Sequence, residues 1–267
     1  SYSTSGSVTY KGEWMDDARN GSGKAYCSDT LTYDGEWMGN MHHGVGKAYG
    51  RSGVLLYDGE WKRDQRDGRG TAFSTVDGAL VYDGEWADNQ HHGTGKAYGT
   101  NGVVRYEGQW VNGEYHGTGR TYDASGVLTY DGEWNNYERD GVGTQYSDGE
   151  LVYDGEWIRN QKDGVGMVYE HGCVIYGGAW EKGVRCGRGA QYYSNGTTCW
   201  YEGEWKNNKY HGRGKEYDPE GRLAYDGEWD DGLRHGRGQQ YNHDGTTVLY
   251  DGEWRHNRHH GYGEQYL

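Results

Sequence analysis

The sequence predicts an all-β protein: an elongated, single-layer, twisted antiparallel sheet of eleven stacked β-hairpin repeats, forming a solenoid-like rod or trough. The string Tyr-x-Gly-x-Trp occurs eleven times at intervals of 23 to 25 residues, from Tyr10 to Tyr250. Each Trp is followed seven residues later by Gly-x-Gly, and an aromatic residue follows three positions after the second Gly. Constant spacing within units and variable spacing between them indicate rigid hairpins joined by loops.

The first strand of each repeat alternates with a period of two. An aliphatic residue or Cys stands two positions before the Tyr, so the aliphatic, Tyr, Gly and Trp positions are predicted to share one face. The interleaved positions are largely acidic and are predicted to form a carboxylate face. The aliphatic-position residues are Val8, Leu31, Leu55, Leu80, Val104, Leu128, Leu151, Val174, Cys199, Leu223 and Val248.

A hairpin turn is predicted three residues after each Trp, where residues that tolerate a positive φ recur. Tyr137 alone departs from this pattern. The other turn residues are Asp17, Asn40, Asp64, Asn89, Gly113, Asn160, Gly183, Asn208, Gly232 and Asn257.

The Gly-x-Gly segment is predicted to return as the second strand, with glycines leaving room for aromatic rings of neighbouring strands. A second turn, often marked by Gly as at Gly53 and Gly102, leads to the next repeat. Two faces of the sheet are possible for the late aromatic residue, such as Tyr26, because a bulge would reverse its direction. The array is predicted to run over residues 5–267 as one continuous domain, after a lead-in of residues 1–4.

This pattern resembles the MORN (membrane occupation and recognition nexus) repeat, whose signature is Tyr-x-Gly-x-Trp, a turn and then Gly-x-Gly. The resemblance covers nearly the whole chain. It implies a hairpin array that serves as a non-enzymatic scaffold, as in cytoskeletal and ciliary members, or that binds membranes. Here the residue three after Trp is more often Asn or Asp than the Gly frequent in the family.

The composition excludes several classes of protein. Leu, Ile, Val and Phe make up only 29 of 267 residues, but forty aromatic residues supply the apolar area for a core. A net charge of −14 argues against nucleic acid and against purely electrostatic attachment to anionic lipid. Four Cys without paired spacing indicate a reducing compartment. We therefore expect a cytoplasmic protein, with association to cytoskeleton or membrane as further options.

The repeat Tyr and Trp side chains are the predicted core and the predicted lining of a partner groove. They are Tyr10, Trp14, Tyr33, Trp37, Tyr57, Trp61, Tyr82, Trp86, Tyr106, Trp110, Tyr130, Trp134, Tyr153, Trp157, Tyr176, Trp180, Tyr201, Trp205, Tyr225, Trp229, Tyr250 and Trp254. Trp200 is the one Trp outside the pattern. It is predicted to lie on the carboxylate face, as a partner anchor or in local packing.

The carboxylate face allows two interpretations. It could hold calcium or perform acid/base chemistry, or its acids could pair with cations on the returning strands. Near-identical repeats offer no unequal pair of carboxylates, which favours ion pairing. The predicted cations are Lys24, Lys47, Lys96, Arg120 and Lys215.

A row of cations and His follows the turns, five residues after Trp. It is a candidate site for anionic ligands, with a solvated edge as the alternative. Its members are Arg19, His42, Arg66, His91, Arg139, Lys162, Arg185, Arg234 and His259. Zinc held by Cys186 and a nearby His is a weaker alternative, because CxxC or H-x3-H spacing does not accompany it.

These observations favour a scaffold that self-associates through its sheet ends or binds a protein partner along the groove. A phosphoinositide-binding module and an extracellular glycan-binding array are the alternatives. We expect no enzymatic activity, no cofactor, no metal and no nucleic-acid partner, because the sequence carries no nucleophile with its base and no phosphate loop.

Overall fold

A computed structural model describes residues 7–267, which contain twenty-two β-strands and no helix. The predicted lead-in, residues 1–4, and the first two residues of the predicted array lie outside the described residues. Within residues 7–267 the chain divides into two compact units, unit 1 up to Tyr137 and unit 2 from Glu138 to Leu267. The predicted all-β hairpin fold is confirmed.

Unit 1 is an antiparallel meander in which each strand pairs with its neighbours along the chain. Its strands are β1 (Tyr10–Met15), β2 (Ala18–Cys27), β3 (Thr30–Met38), β4 (Met41–Tyr49), β5 (Leu55–Lys62), β6 (Gln65–Phe73), β7 (Leu80–Ala87), β8 (Gln90–Tyr98), β9 (Val104–Val111), β10 (Glu114–Tyr122) and β11 (Leu128–Asn135).

Unit 2 repeats the same order of strands and the same antiparallel pairing. Its strands are β12 (Glu138–Ser147), β13 (Glu150–Ile158), β14 (Gln161–Glu170), β15 (Cys173–Glu181), β16 (Val184–Tyr192), β17 (Cys199–Lys206), β18 (Lys209–Tyr217), β19 (Leu223–Asp230), β20 (Leu233–Tyr241), β21 (Val248–Arg255) and β22 (Arg258–Gln265).

The hairpin turns are two residues long, and both residues have a positive φ. Asp88 and Asn89, for example, have φ of 47° and 67°. Two positive φ values define the turn whose twist matches that of paired strands, which explains the frequency of Asn, Asp and Gly. The predicted turns are confirmed, and even the exceptional Tyr137 has φ of 64°.

Two bulges interrupt the pairing in a regular way. Within the β3–β4 hairpin, Gly35 pairs with Gly46 but Glu36 pairs with His43, so Gly44 and Val45 bulge outward. Bulges of this kind add twist and redirect side chains.

The second bulge lies before the repeat Tyr. Ala25 pairs with Tyr33 and Tyr26 with Leu31, which leaves Thr32 as the extra residue. Directly paired residues share a face of the sheet. Leu31 therefore faces away from Tyr33, and the prediction that aliphatic, Tyr, Gly and Trp positions share one face is wrong for the aliphatic position.

The same bulge decides the face of the late aromatic residue. Tyr217 donates a hydrogen bond to the carboxylate of Glu202 at 2.6 Å, and Glu202 pairs with Lys215 on the carboxylate face. Late Tyr side chains and aliphatic residues thus pack together on the carboxylate face. The opposite face, which carries the repeat Tyr and Trp rings, is called the aromatic face below.

The repeat Tyr and Trp side chains form the core. All eleven Tyr are buried, and the Trp are buried except Trp14, which is 49% exposed, and the half-buried Trp61. Each Tyr ring meets the Trp of its own repeat edge to face, as Tyr82 and Trp86 do at 5.1 Å between ring centroids. Edge-to-face contact adds to the gain from burial.

The polar atoms of these rings are paired with backbone. Tyr82 Oη donates to the carbonyl of Glu85 at 2.9 Å, and Trp86 Nε1 donates to the carbonyl of Gly70 at 2.8 Å. The Trp bond reaches the preceding repeat, so it links successive hairpins.

Within each unit, a glycine lies beneath the repeat Tyr ring of a hairpin. A Cβ placed on Gly95 would lie far inside van der Waals contact of Tyr82 Oη and would approach its Cζ at 2.5 Å. The second glycine of Gly-x-Gly is therefore required for close approach of ring and backbone, as aromatic rescue predicts.

Candidate functional site

Within each unit, the residue five positions after a Trp pairs with that Trp across the hairpin, and so lies on the aromatic face. Trp86 pairs with His91, and Trp157 pairs with Lys162. We call this set the cap row. It consists of Arg19, His42, Arg66, His91, Tyr115, Arg139, Lys162, Arg185, Tyr210, Arg234 and His259.

Planar members of the cap row stack on the repeat Tyr. The His91 ring lies 3.7 Å from that of Tyr82, at an angle of 11° between planes. Tyr115 stacks on Tyr106 in the same way, at 3.7 Å and 3°. His42, Tyr210 and His259 make equivalent contacts. A second aromatic layer therefore covers the Tyr rings in these repeats.

Cationic members of the cap row lie over the same rings. The guanidinium of Arg66 is 4.1 Å from the Trp86 ring centroid. Lys162 Nζ is 4.6 Å from the ring of Tyr153 and 5.1 Å from that of Trp180. These are cation–π distances. All nine residues of the predicted anionic-ligand row thus lie on the aromatic face. Anion binding and the solvated-edge alternative both stay predictions.

Burial within this layer changes protonation. Burial, with a smaller effect of the nearby Arg66, lowers the pKa of His91 to about 4, so the ring is neutral near pH 7. Burial and then the neighbouring Arg185 and Arg139 lower the pKa of Lys162. Burial raises the pKa of Tyr82 well above its usual range, so its phenol stays protonated and donates its hydrogen bond. These protonation states suit close packing of the rings within the layer.

Neighbouring hairpins are joined through the turn Asn or Asp. Asn89 Oδ1 accepts a hydrogen bond from the backbone N–H of Arg66 at 2.9 Å, while Asn89 N–H donates to the carbonyl of Arg66 at 3.1 Å. Where Gly occupies the turn, as at Gly113 and Gly183, the backbone bond to the previous cap residue remains. The turn residue therefore supplies both a positive φ and a link between repeats.

The Glu or Gln before Trp serves a structural role in several repeats. Glu85 Oε1 accepts a hydrogen bond from the bulged Thr94 N–H at 3.1 Å, and Gln109 Oε1 accepts one from Thr118 N–H at 2.8 Å. Gln replaces Glu here because only an acceptor oxygen is needed. The carboxylate closes the bulge.

In five repeats the acid after the Tyr forms an ion pair with a cation predicted from the sequence. Lys47 lies 2.9 Å from Asp58, and Lys96 lies 3.0 Å from Glu107. Lys24, Arg120 and Lys215 make the equivalent contacts with Asp34, Asp131 and Asp226. The predicted pairing is confirmed for all five cations.

The aromatic face of unit 1 carries an open groove of about 550 Å³. The residues that pair with the repeat Tyr, called the floor row, are small here. The residues that line the groove include Ala72, Val81, Trp86, His91 and Trp110. The floor row of unit 1 consists of Ala25, Ala48, Ala72, Ala97 and Thr121.

The floor row of unit 2 has longer and more polar side chains than that of unit 1. Glu216 pairs with the cap residue Arg234 at 2.6 Å, and Gln191 accepts a hydrogen bond from Arg185 at 3.4 Å. Its members are Gln145, Val168, Gln191, Glu216, Gln240 and Gln265.

The sequence profile of the MORN repeat matches eleven segments of the chain. They are residues 10–32, 33–54, 57–73, 82–104, 106–127, 130–150, 153–169, 176–198, 201–221, 225–247 and 250–266. The chain belongs to the MORN-repeat family. No curated protein matches the chain. MORN repeats typically take part in protein or membrane association, and the family is generally non-enzymatic.

Paired His residues of these MORN repeats point to opposite faces. His42 stacks on Tyr33, whereas His43 pairs with Glu36 on the carboxylate face. Among residues 7–267, no group of three or more His, Cys, Asp or Glu is placed to hold a metal ion. Within the same range, no helix has the length and apolar character of a membrane span.

Trp200 lies on the aromatic face, so the prediction that it lies on the carboxylate face is wrong. It occupies the bulge before Tyr201, stacks with Tyr193 at 5.6 Å and contacts Tyr210 edge to face at 6.5 Å. Its side chain is 37% exposed, which leaves part of the ring accessible beside the cap row.

Two members of the cap row are missing from the sequence-based set. Tyr115 and Tyr210 replace a cation or His, and both stack on the repeat Tyr. Their common position, five residues after Trp, was visible in the sequence. Charge alone does not identify them, because the position selects side chains that can lie flat on a ring.

Proposed function

We propose that this MORN-repeat protein is a non-enzymatic scaffold that binds a protein partner along its aromatic face. The supporting observation is the layered surface of the cap row over the repeat Tyr and Trp. Tyr, Trp and Arg are the residue types that dominate binding energy at protein interfaces. The groove of about 550 Å³ in unit 1 adds a concave surface lined by both apolar and polar side chains.

A site-specific crosslink tests this proposal. Val81 is 41% exposed and lines the groove of unit 1, whereas Val45 is 56% exposed in a bulge on the carboxylate face, where it pairs with Glu60. Each Val is replaced separately by benzoylphenylalanine, and the protein is irradiated in cells that express it. We expect discrete protein adducts from position 81 and few from position 45. Adducts from position 45 alone would contradict the proposed face.

Self-association through the sheet ends and a cytoskeletal or ciliary location in the cytoplasm are further parts of the proposal, taken from the family resemblance. Sedimentation velocity over a hundredfold range of protein concentration tests the first part. A weight-average mass that rises with concentration is expected. A constant mass of one chain, 30.2 kDa, would remove self-association but leave partner binding in place.

The membrane alternative draws on the cations of the cap row. Half-buried cations lying flat on rings are less accessible to a planar membrane than exposed side chains, and the net charge of −14 opposes approach to an anionic surface. Flotation with phosphoinositide vesicles at physiological salt separates the two functions. We expect the protein to remain with the soluble fraction.

A further inference from the structure

Three consecutive members of the cap row in unit 2 are cations: Arg139, Lys162 and Arg185. Each lies over an aromatic ring of the following repeat. Arg139 lies 4.1 Å from the Trp157 ring centroid, and Arg185 lies 5.3 Å from that of Trp205. These three residues, called the cation track, form a concentrated positive strip on an otherwise acidic molecule.

Two members of the cation track, Lys162 and Arg185, form no ion pair with a carboxylate among the described residues. Within residues 7–267, no carboxylate lies within 4 Å of Lys162 Nζ or of the Arg185 guanidinium, whereas Arg234, two repeats further on, is paired with Glu216. Burial and the two flanking Arg residues lower the pKa of Lys162. A bound anion would offset both unfavourable effects on the charged lysine.

The spacing of the track restricts the ligand. One cation occurs per hairpin, and two strands at about 4.8 Å each give about 9.6 Å between successive cations. A polyproline II helix has three residues per turn and a rise of about 3.1 Å per residue, so every third side chain recurs on one face at about 9.3 Å. Acidic residues at every third position of such a segment would therefore meet successive cations.

The surroundings of the track also suit this backbone. A polyproline II segment has no internal hydrogen bonds, so its carbonyl groups require outside donors. Gln145 and Gln191 lie in the floor row beside the track, and their amides can donate such bonds. Aromatic-lined grooves are the usual receptors of polyproline II segments.

We propose that the cation track of unit 2 binds an acidic polyproline II segment of a partner protein, with carboxylates at every third residue. This inference rests on the proposed function, because it names the chemistry of the partner that the aromatic face would bind.

The test uses a fluorescein-labelled peptide of four Glu-Pro-Pro triplets and fluorescence anisotropy with the full chain. Two control peptides carry four Glu-Pro-Pro-Pro units or four Gln-Pro-Pro triplets. The first keeps the charge but spaces it by about 12 Å, and the second keeps the spacing without charge. We expect the Glu-Pro-Pro peptide to bind at least about tenfold more tightly than either control, with affinity that falls as salt rises.

Matched variants locate the binding site. Lys162→Tyr removes one charge and supplies the kind of stacked ring found naturally at Tyr115 and Tyr210, so we expect the variant to keep the fold. It should weaken peptide binding about tenfold. Lys47→Gln removes one charge from the carboxylate face, where Lys47 pairs with Asp58, and should leave binding unchanged.

Several outcomes would overturn the inference. Equal affinity for the two Glu peptides would remove the spacing argument, and equal losses in the two variants would place binding elsewhere. Absence of binding at millimolar peptide, or phosphoinositide vesicle binding that Lys162→Tyr abolishes, would likewise reject the peptide ligand. Crosslinking at position 81 in unit 1 is independent of these results, so failure of the peptide leaves the proposed scaffold function testable by itself.

Discussion

The aromatic faces of the two units have the same kind of inner layer but differ in the layer that meets solvent. In both, repeat Tyr and Trp rings lie over glycine backbone. The floor row is mainly Ala in unit 1 but mainly Gln in unit 2. The cap row of unit 1 intersperses Arg with neutral residues such as His91 and Tyr115, whereas unit 2 begins with three consecutive cations.

This difference shows that the fold and the surface chemistry depend on separate positions. Within each repeat the Tyr, Trp and glycines are constrained by contacts of ring with backbone, so they recur in both units. The floor and cap positions need only an appropriate size or a side chain that can lie flat, and they can vary. The surface chemistry can therefore differ between repeats at little cost to stability.

The largest expected effect concerns the shared inner layer. Gly95→Ala in unit 1 and Gly189→Ala in unit 2 each place a Cβ against the Tyr82 or Tyr176 hydroxyl. Neither ring can move, because both are fully buried. Each variant should lose at least about 2 kcal/mol of unfolding free energy, measured by urea denaturation.

Gly50 provides a control for these two glycines. Gly50 has ordinary contact with Leu56 at 3.5 Å, so Gly50→Ala should change stability little. A large loss for one of the two buried positions and none for the other would contradict the view that the units share one inner layer.

The sequence was sufficient for the parts of the fold that depend on backbone conformation and close approach. The turn positions, the second glycine and the pairing of Lys47 with Asp58 follow from local chemistry and period. The face of Leu31 and the location of Trp200 did not, because one extra residue in a bulge reverses side-chain direction. The spacing within the sequence contains no direct sign of that residue.

The candidate site was predicted in residue identity but not in position. Arg66 and Lys162 were recognised as members of a recurring row, yet their place over aromatic rings depends on pairing across the hairpin. The link from Asn89 to Arg66 was also missed, since Asn in a turn is sufficiently explained by its positive φ. Contacts between repeats become visible only when the register is known.

The next effect is the pH dependence of stability that His91 gives to unit 1. The pKa of His91 in unit 1 is lowered to about 4 by burial, against 6.5 in the unfolded chain. Below pH 6.5 the unfolded state therefore binds more protons, and stability falls as the pH is lowered towards 4. Between pH 7 and pH 5 this side chain should account for a loss of about 2 kcal/mol.

The variant His91→Tyr tests this effect, because Tyr115 shows that Tyr fits the cap row. Urea denaturation at pH 7 and pH 5 should give a smaller pH-dependent loss in the variant than in the wild type. The comparison cancels the titration of carboxylates common to both proteins. Equal losses would mean that His91 is not held neutral by the aromatic layer.

The smallest effect compares the links between hairpins in the two units. Gly113 and Gly183 occupy turn positions with φ of 84° and 81°, where other repeats carry Asn. Asn at either position would offer Oδ1 to the N–H of the preceding cap residue, His91 or Lys162, as Asn89 does for Arg66. Each of Gly113→Asn and Gly183→Asn should stabilise the protein by about 0.5 to 1 kcal/mol, through this hydrogen bond and lower entropy of the unfolded chain.

Gly53→Asn separates these two contributions. Like Gly113 and Gly183, Gly53 has a positive φ, 77°, and a Cβ placed there meets no atom within 4 Å. Its N–H donates to the carbonyl of Gly50 in the same turn and not to a cap residue, so the substitution reports mainly the backbone effect. The excess stability of Gly113→Asn and Gly183→Asn over this control, measured by urea denaturation, gives the contribution of the link. Equal excesses would show that the link is independent of the cap residue that donates. A gain confined to Gly113→Asn would instead mean that the cation track opposes closer docking of its neighbouring turn.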